Sequence, residues 1–195
     1  MIAVLILAAG ASSRMRGADK LLMAVRGTTL LADRIAMAAS VATTLVTLPP
    51  RPHPRWAQAA GAIAVPVPGA DVGLSASLKC GIRALPPQAR GVLILPADMP
   101  DITATDLQTL LNARADNPDA LICQATTEDG KPGHPVLFDA ATFPLFAALF
   151  GDSGARPIID HYADRVHSVP VTGGRARHDL DTPEDWTDWR ANAPR

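Results

Sequence analysis

VLILAAGASSRMRGADK, residues 4–20, joins an apolar run to a loop of small and basic residues. This stretch has two interpretations, which lead to different proteins. In the first, residues 2–9 are the hydrophobic part of a secretory signal with an Ala-x-Ala-like cleavage point. In the second, they are a buried β-strand followed by a Gly/Ser loop. The loop carries the basic side chains of Arg14, Arg16 and Lys20.

The residues around the apolar run favour the strand. A secretory signal begins with a positively charged segment ahead of about 7 to 15 apolar residues, and nothing basic precedes Ile2. Cleavage near Ala11 would also remove the strand and leave residues 12–20 as an unsupported basic tail. We therefore predict a strand over residues 2–7.

Length and composition indicate one globular domain. The chain has 195 residues, 48% hydrophobic and 19% charged, so a single domain spanning 1–195 can bury a full core. With 18 Lys and Arg against 19 Asp and Glu, the net charge is −1. This balance predicts no binding to nucleic acid or to an anionic membrane surface. Any anion must then be bound locally.

Cysteine spacing and hydropathy favour a soluble, cytoplasmic protein. Cys80 and Cys123 lie far apart, with no CxxC pair and no nearby histidine at a metal-ligand spacing. We expect both to be ordinary buried thiols. No segment reaches the roughly 18 to 20 continuous apolar residues that a membrane span requires.

Short apolar segments alternate with longer helical segments along the chain. The alternation predicts an α/β fold with a parallel, doubly wound sheet. The predicted strands, rich in Val, Ile and Leu, cover residues 2–7, 43–48, 62–67, 91–95, 120–124, 135–138 and 166–171. The predicted helices cover residues 29–39, 75–84, 104–113, 140–150, 155–162 and 183–192. The Pro-rich residues 49–54 read as a stiff connection between units.

The loop after the first strand is a candidate phosphate site, since ligands of open α/β sheets bind beyond the carboxyl ends of the strands. Small residues at 10–13 let backbone N–H groups approach an anion, and Arg14 and Lys20 supply positive charge. The Walker pattern fails because the glycines are too far apart and Leu21 follows the lysine. The dinucleotide pattern G-x-G-x-x-G fails as well. The loop is either a different phosphate binder or a solvated turn.

Asp98, in LPADMP at residues 95–100, ends a buried apolar strand. A carboxylate there costs free energy unless it is paired, hydrogen-bonded or bound to a cation. Mg²⁺ is a natural partner, because it is bound through one or two carboxylates together with substrate phosphates. The alternative is that Asp98 or Asp101 only caps the next helix.

Two segments supply candidate contacts for a base, a phosphate or another ligand. DVGLSASLKCG, residues 71–81, places Gly73, Ser75 and Ser77 at a helix start. KPGHPVLF, residues 131–138, holds His134 in a rigid Gly-His-Pro turn before a strand, as a ligand contact or as a structural histidine.

Two later segments add charged candidates. GDSGARP places Arg156 near a helix N-terminus, where it is a possible clamp for a second phosphate. HDLDTPEDW contains Asp179 and Asp181, of which one is a candidate second metal ligand and the other a helix cap.

These segments occur in an order that resembles the MobA-like nucleotidyltransferases, and most of all the branch of molybdenum cofactor cytidylyltransferases. LILAAGASSRMRGADKLL, GLSASL, PADMP, GHPVLF, GDSGAR and DLDTPEDW carry the resemblance over nearly the whole chain. It implies a Rossmann-like three-layer α/β/α sandwich with a mostly parallel, mixed central sheet. It also implies a nucleotide-binding part at about residues 1–100 and an acceptor-binding part at about residues 101–195.

Details within the motifs separate the branches of this superfamily. Guanylyltransferases for the same cofactor usually carry Leu-Ala-Gly-Gly in the first loop, whereas this chain has Ala9 at the third position, which favours cytidine. Enzymes that make cytidyl-diphospho-methylerythritol follow strand four with Asp-Ala-Ala-Arg-Pro, whereas this chain has Ala-Asp-Met-Pro at 97–100. The family commonly runs Arg-Met-Gly-x-x-Lys, and here Arg16 is an extra residue in that pattern.

The resemblance implies a role for each matching residue. The implied nucleotide-binding residues are Leu7, Ala8, Ala9, Gly10, Ser12, Ser13, Arg14, Lys20, Gly73, Leu74, Ser75 and Ser77. Arg14, Lys20 and Asp98 are the implied catalytic residues, His134 and Arg156 bind the acceptor, and Asp98 and Asp181 bind Mg²⁺.

The implied reaction transfers CMP from CTP to the terminal phosphate of molybdopterin or of the molybdenum cofactor, with release of pyrophosphate. A molybdenum hydroxylase is the expected recipient of the product. Two alternatives stay open: a transferase that uses GTP or CTP with another sugar or alcohol phosphate, and a non-catalytic factor that holds the cofactor for such a hydroxylase.

Overall fold

A mixed β-sheet forms the centre of the computed structural model, which describes residues 1–69 and 73–192. The strands are β1 Ile2–Leu7, β2 Ala24–Val25, β3 Thr28–Thr29, β4 Thr44–Leu48, β5 Ile63–Pro66, β6 Gly91–Pro96, β7 Ile122–Thr126, β8 Pro132–Asp139 and β9 Val166–Pro170. Seven of them form one sheet in the order β5-β4-β1-β6-β8-β7-β9. Each of the seven predicted strands is present. The sequence does not predict the separate hairpin β2–β3, whose turn residues Arg26 and Gly27 both have positive φ.

One strand departs from the parallel sheet that the alternation predicts. β8 runs antiparallel to both neighbours, β6 and β7, while the other pairs are parallel. Only residues 127–131 separate β7 from β8, too few for the crossover that a parallel pair needs. The parallel sheet that the alternation predicts is therefore found except at β8, and the mostly parallel, mixed sheet that the family resemblance implies is confirmed.

In the part of the chain that the structure describes, six α-helices lie beside the sheet. They are α1 Leu30–Ala39, α2 Leu74–Arg83, α3 Ala104–Asp116, α4 Phe143–Phe146, α5 Arg156–His161 and α6 Pro183–Asn192. The predicted helix over 140–150 is wrong in its extent. A 3₁₀ turn, Ala140–Thr142, precedes α4, and after Phe146 the backbone tightens again, with Leu149 N–H donating to the Phe146 carbonyl at 3.3 Å. Within the described ranges, no helix is both long enough and apolar enough to cross a membrane.

Side chains alternate between two cores along β1, one on each face of the sheet. Val4 and Ile6 pack with buried residues of α1, α3 and α6, whereas Ala3 and Leu5 pack with those of α2, α4 and α5. Alternation along a strand that is covered on both faces produces this division. The structure is therefore a three-layer α/β/α sandwich, as predicted.

The chain reverses its direction of travel across the sheet next to β1. It passes from β1 outwards to β4 and β5, and then returns to β6 on the other side of β1. The loops after β1 and β6 consequently diverge and leave a crevice at the carboxyl ends of these two strands. This is the position where open α/β sheets bind ligands.

Candidate active site

A cleft of about 790 Å³ opens at the carboxyl ends of β1 and β6. Its volume is within the range of small-molecule sites. One wall is the β1 loop, residues 8–20, and the opposite wall, called here the far wall, is residues 152–160. Residues 96–99 after β6 and residues 176–181 before α6 lie between the two walls.

Most of the predicted site residues line this cleft. They are Leu7, Ala8, Ala9, Gly10, Ser12, Ser13, Arg14, Lys20, Leu74, Ser77, Asp98, His134, Arg156 and Asp181. Of the predicted residues that the structure describes, Gly73 and Ser75 are not in the lining. The motif DVGLSASLKCG starts within 70–72, which lie outside the described residues.

The start of α2 contacts the far wall, which explains the positions of Gly73 and Ser75. Ser75 N–H donates to the Gly151 carbonyl at 3.1 Å, and Leu74 N–H donates to Asp152 Oδ1 at 3.2 Å. Gly73 has φ of 116°, and a Cβ there would lie 2.5 Å from Asp152 Oδ1. These helix-start amides therefore hold the far wall in place.

The β1 loop directs the side chain of Lys20 into the cleft. Ser12 and Arg16 adopt left-handed backbone conformations on either side of the 3₁₀ turn Ser13–Met15. A second turn, Lys20–Leu22, begins where Asp19 accepts the Leu21 N–H at 3.1 Å. This cap fixes the backbone at the residue that carries the ammonium group.

Lys20 lies between two carboxylates at the centre of the cleft. Its Nζ is 2.6 Å from Asp98 Oδ2 and 2.6 Å from Asp181 Oδ1, and Arg14 Nη1 is 2.6 Å from Asp181 Oδ2. Burial alone would lower the pKa of Lys20, but these two carboxylates outweigh it and raise that pKa above its ordinary value. Burial works to raise the pKa of Asp181, and the hydrogen bond and charge of Lys20 instead bring it below the usual range.

Three carboxylates form a candidate metal-binding cluster. Ligand atoms of Asp98, Asp179 and Asp181 all lie within 4.8 Å of one another. Partial burial and the charge of Asp181 raise the pKa of Asp179. Asp98 Oδ1 is buried and has no hydrogen-bond partner among the described residues, so it is available to a cation. Oxygen-only donors suit Mg²⁺ or Mn²⁺.

Residues other than the predicted aspartates cap α3 and α6. α3 begins with a reciprocal capping box between Thr103 and Asp106, so neither Asp98 nor Asp101 caps it. At α6, Asp185 Oδ2 accepts the N–H groups of Asp181 and Thr182 at 3.0 and 2.7 Å. The expectation that one of Asp179 and Asp181 is a cap is therefore wrong, and both belong to the carboxylate cluster.

His134 faces the cleft from a bulge in β8. Gln124 pairs with Val136 and Thr126 pairs with Pro132, so β8 has two extra residues there, with His134 at the middle of the bulge. Bulges re-aim side chains beside functional sites. The predicted Gly-His-Pro turn is thus part of a strand. Burial lowers the pKa of His134, while the charge of Asp98 acts in the opposite direction.

The arginines in and around the cleft differ in how their side chains are held. Arg156, on the far wall, is 83% exposed and lies 3.7 Å from Asp160 in an i,i+4 pair. Arg177 also lines the cleft and donates to the Pro132 carbonyl at 2.8 Å, although the sequence did not indicate it. Arg16, the extra residue of the loop, points outward to Glu184 of α6 at 2.8 Å.

One buried residue behind the β1 loop was not predicted as part of the site. Arg55 is 2% exposed and forms a bidentate pair with Asp19, with both contacts at 2.7 Å. Arginine is usually a surface residue, and an arginine after a Pro-rich connection shows no pattern by which its burial is predicted. Only the folded chain reveals its position.

The crevice position, the basic loop and the carboxylate cluster together define a nucleotidyltransferase-type α/β domain. The family model of the MobA-like NTP transferase domain matches residues 4–166 of this chain. The chain therefore belongs to the MobA-like NTP transferase family.

Solved structures support this assignment. Rv0371c from Mycobacterium tuberculosis H37Rv is 27% identical, with a TM-score of 0.84 and 98% of both chains covered. A structure of Rv0371c in complex with manganese is 25% identical, with a TM-score of 0.81 over 98% of this chain and 99% of that one. Molybdopterin-guanine dinucleotide biosynthesis protein A from Archaeoglobus fulgidus shares the fold, at 14% identity and a TM-score of 0.72 over 95% of both chains.

A curated relative also matches part of the chain. The bifunctional protein GlmU from Rhodococcus jostii (strain RHA1) is 35% identical in a match of 127 aligned residues that covers 60% of this chain. The match covers only 25% of the length of that relative.

Proposed function

We propose that this protein transfers CMP from CTP to the terminal phosphate of molybdopterin, or of the molybdenum cofactor, and releases pyrophosphate. One observation carries the proposal: Lys20, Arg14 and the Asp98 and Asp181 carboxylates meet at the centre of a cleft with basic side chains on both walls. Transfer between two phosphate-bearing substrates requires such a centre, because both bring negative charge to one point.

The β1 loop is the proposed nucleotide site. Its small residues allow backbone N–H groups to approach phosphate oxygens, and Arg14 lies at its cleft-facing side. Ala9 supports CTP, since the guanylyltransferase branch usually has glycine at this position. Leu74 and Ser77 of α2, which begins against the far wall, also line the cleft and are further proposed nucleotide contacts.

The carboxylate cluster is the proposed Mg²⁺ site, with Asp98 and Asp181 as ligands and Asp179 as a further donor. Its fit rests on the unpartnered Asp98 Oδ1 and on three oxygen donors within 4.8 Å of one another. The manganese complex of Rv0371c supports a divalent ion in this family. When bound, the cation neutralises charge on the phosphate oxygens.

In the proposed reaction, a terminal phosphate oxygen of the acceptor attacks the α-phosphorus of CTP in line. A new P–O bond forms as the bond from the α-phosphorus to the bridging oxygen breaks, and pyrophosphate leaves with that electron pair. Lys20 stabilises charge on the α-phosphate, and the β1-loop amides with Arg14 hold the pyrophosphate. No protein nucleophile is required.

His134 and Arg156 are the proposed acceptor contacts, and Arg177 is a further cation in the lining of the cleft. In this proposal, residues 1–100 chiefly bind nucleotide and residues 101–195 chiefly bind the acceptor. The product is then delivered to a molybdenum hydroxylase.

A pyrophosphate-release screen tests the proposal. The protein is incubated with each of the four nucleoside triphosphates, with and without Mg²⁺, and with and without molybdopterin. Release that requires CTP, Mg²⁺ and molybdopterin together is the expected result. A matched pair of variants, Asp98→Asn in the cluster and the exposed, remote Asp116→Asn, separates this activity from a contaminating one.

Other outcomes would identify the alternatives. Release with GTP would overturn the cytidine assignment, and release only with sugar or alcohol phosphates would assign another acceptor. Binding of molybdopterin without turnover by any triphosphate would support the non-catalytic maturation factor.

A further inference from the structure

Arg55 lies behind the β1 loop, on the side away from the cleft. Arg55 follows the Pro-rich connection and is part of the 3₁₀ turn Pro54–Gln58. At the start of this turn, His53 Nδ1 accepts the Arg55 N–H at 3.3 Å. This cap sets the direction in which the side chain leaves the backbone. Its guanidinium is thereby placed against the inner surface of the loop.

All five N–H donors of the guanidinium are used. Nη1 donates to the carbonyls of Ala8 and Gly10, each at 2.7 Å, and Nη2 donates to Ser12 Oγ at 3.1 Å. Nε and the second Nη2 hydrogen form the bidentate pair with Asp19 at 2.7 Å. A planar guanidinium presents five donors in a fixed fork. These partners span the loop from its first residue to the one before Lys20.

The two carbonyl contacts determine where the neighbouring amides point. In a trans peptide, the C=O of one residue and the N–H of the next point in opposite directions. The carbonyls of Ala8 and Gly10 face Arg55, so the N–H groups of Ala9 and Ala11 face away from it. Neither N–H has an acceptor within residues 1–69 or 73–192. They are therefore free to donate to an anion.

The remaining contacts of Arg55 fix the backbone in the rest of the loop. Ser12 has φ of 51°, a left-handed conformation that persists only where the surroundings hold it, and Arg55 binds its hydroxyl. Asp19, paired with Arg55, also accepts the Leu21 N–H that begins the turn Lys20–Leu22. The ammonium of Lys20 is thus positioned through Asp19.

We propose that Arg55 is the positioning residue of the β1 loop, orienting its anion-binding amides and its catalytic lysine from behind. This inference rests on the proposed function in that the anion is the triphosphate of the nucleotide. Arg55 touches no substrate. A nucleotide enters a loop whose amides are already directed, and little conformational freedom is lost on binding.

Hydrogen–deuterium exchange of Arg55→Lys and Arg55→Met tests the placement without any substrate. Lysine keeps the charge but not the fork, and methionine keeps the approximate length but no donor. The matched control is Arg51→Met, because Arg51 lies in the same connection and stacks on the Trp56 ring at 4.1 Å without touching the loop. We expect faster exchange in peptides that cover residues 8–22 for both Arg55 variants only. Peptides that cover β6 should exchange as in the unaltered protein.

Binding and turnover give the functional result. In the Arg55 variants, CTP affinity with Mg²⁺, measured by calorimetry, should fall about tenfold, and kcat for pyrophosphate release should fall about 100-fold, because misplacement by about 1 Å costs that much. Arg51→Met should change neither. Asp19→Asn removes the ionic partner while Arg55 remains, and should reproduce part of both losses.

Two results would overturn the proposal. The first is a folded Arg55→Lys or Arg55→Met protein whose loop exchange matches that of Arg51→Met. The second is loss of the folded state in Arg55→Lys and Asp19→Asn alike, which would make Arg55 a residue that holds the whole domain rather than the loop. If the unaltered protein binds none of the four triphosphates, the proposed function fails, and the exchange comparison still decides the role of Arg55.

Discussion

Arg55 lies behind the β1-loop wall of the cleft and Arg156 lies on the far wall, and the two side chains are held in opposite ways. Arg55 is 2% exposed, with five hydrogen bonds to the β1 loop, whereas Arg156 is 83% exposed and, among the residues that the structure describes, has one ion pair, with Asp160 at 3.7 Å. An exposed pair at that distance contributes little to holding a side chain, because solvent screens it. The β1-loop wall is therefore held by its own hydrogen bonds, whereas the Arg156 side chain of the far wall is held only weakly.

This contrast suits a reaction with two unlike substrates. A nucleotide presents the same triphosphate in every turnover, so a preorganised wall binds it without reordering. For an acceptor bound by exposed side chains, the affinity depends more on the chemistry of the acceptor and on the displacement of water. The two walls should consequently respond differently to substitution.

Asp98 lies between the walls, and its loss should have the largest effect. Asp98→Asn should reduce kcat for pyrophosphate release by about 10³-fold, because the variant loses a carboxylate ligand of the proposed cation that neutralises charge on both substrates. The melting temperature measured by circular dichroism should stay close to that of Asp116→Asn. Near-normal turnover by the folded variant would remove Asp98 from the metal site.

Lys20 should act on the chemical step more than on binding. Lys20→Met should slow a single turnover by about 100-fold, while the Kd of CTP rises only a few fold. Rapid-quench measurement at saturating CTP separates these quantities. An unchanged chemical rate with weakened affinity would reduce Lys20 to a binding residue of the β1-loop wall.

Arg156 should affect only the acceptor. Arg156→Ala should raise the acceptor KM about tenfold, the effect of losing one charge-assisted hydrogen bond. The Kd of CTP should stay unchanged, since the β1-loop wall keeps its own supports. Arg83→Ala, at the exposed end of α2, is the control. A parallel loss of CTP affinity would contradict the separation of the two walls.

The smallest expected effect is on the pH dependence of stability, which comes from His134 and is separate from its proposed contact with the acceptor. Because burial lowers its pKa below the unfolded value, protonation favours the unfolded chain. Its contribution to stability is fully present above about pH 6.5 and is lost as pH falls through the folded-state pKa. Urea unfolding on either side of that window should show a smaller pH dependence for His134→Gln than for the unaltered protein. An equal pH dependence would place the imidazole in solvent.

The difference between the walls also explains which site residues were predictable. Asp98 comes soon after β6, and Arg14 and Lys20 lie in the loop after β1. The carboxyl ends of these neighbouring parallel strands meet at one edge of the sheet. Their convergence follows from local pattern and topology. Arg177 and Arg55 lie in segments without such a pattern, so the sequence predicted neither.

Two misassignments have the same origin. The position of Asp179 and Asp181 before Pro183 suggests that one of them is a helix cap, but Thr182 and Asp185 form that cap and both aspartates lie in the carboxylate cluster. The Gly-His-Pro segment reads as a turn, but it is a bulge opposite Ala125. Contacts made on folding decided both the cap and the bulge, because the intrinsic conformational preferences of short segments are weak compared with tertiary contacts.

Residues 4–20 by themselves determined a buried strand and a loop of small and basic residues, because hydrophobic runs and glycine-rich turns depend on neighbours in the chain. The alternation of strands and helices likewise determined the α/β class. Only the tertiary structure decided that β8 runs antiparallel, that three aspartates share one site and that Arg55 holds the loop from behind. Each of these features depends on contacts between segments that are far apart in sequence. A local sequence pattern does not predict the free energy of such contacts.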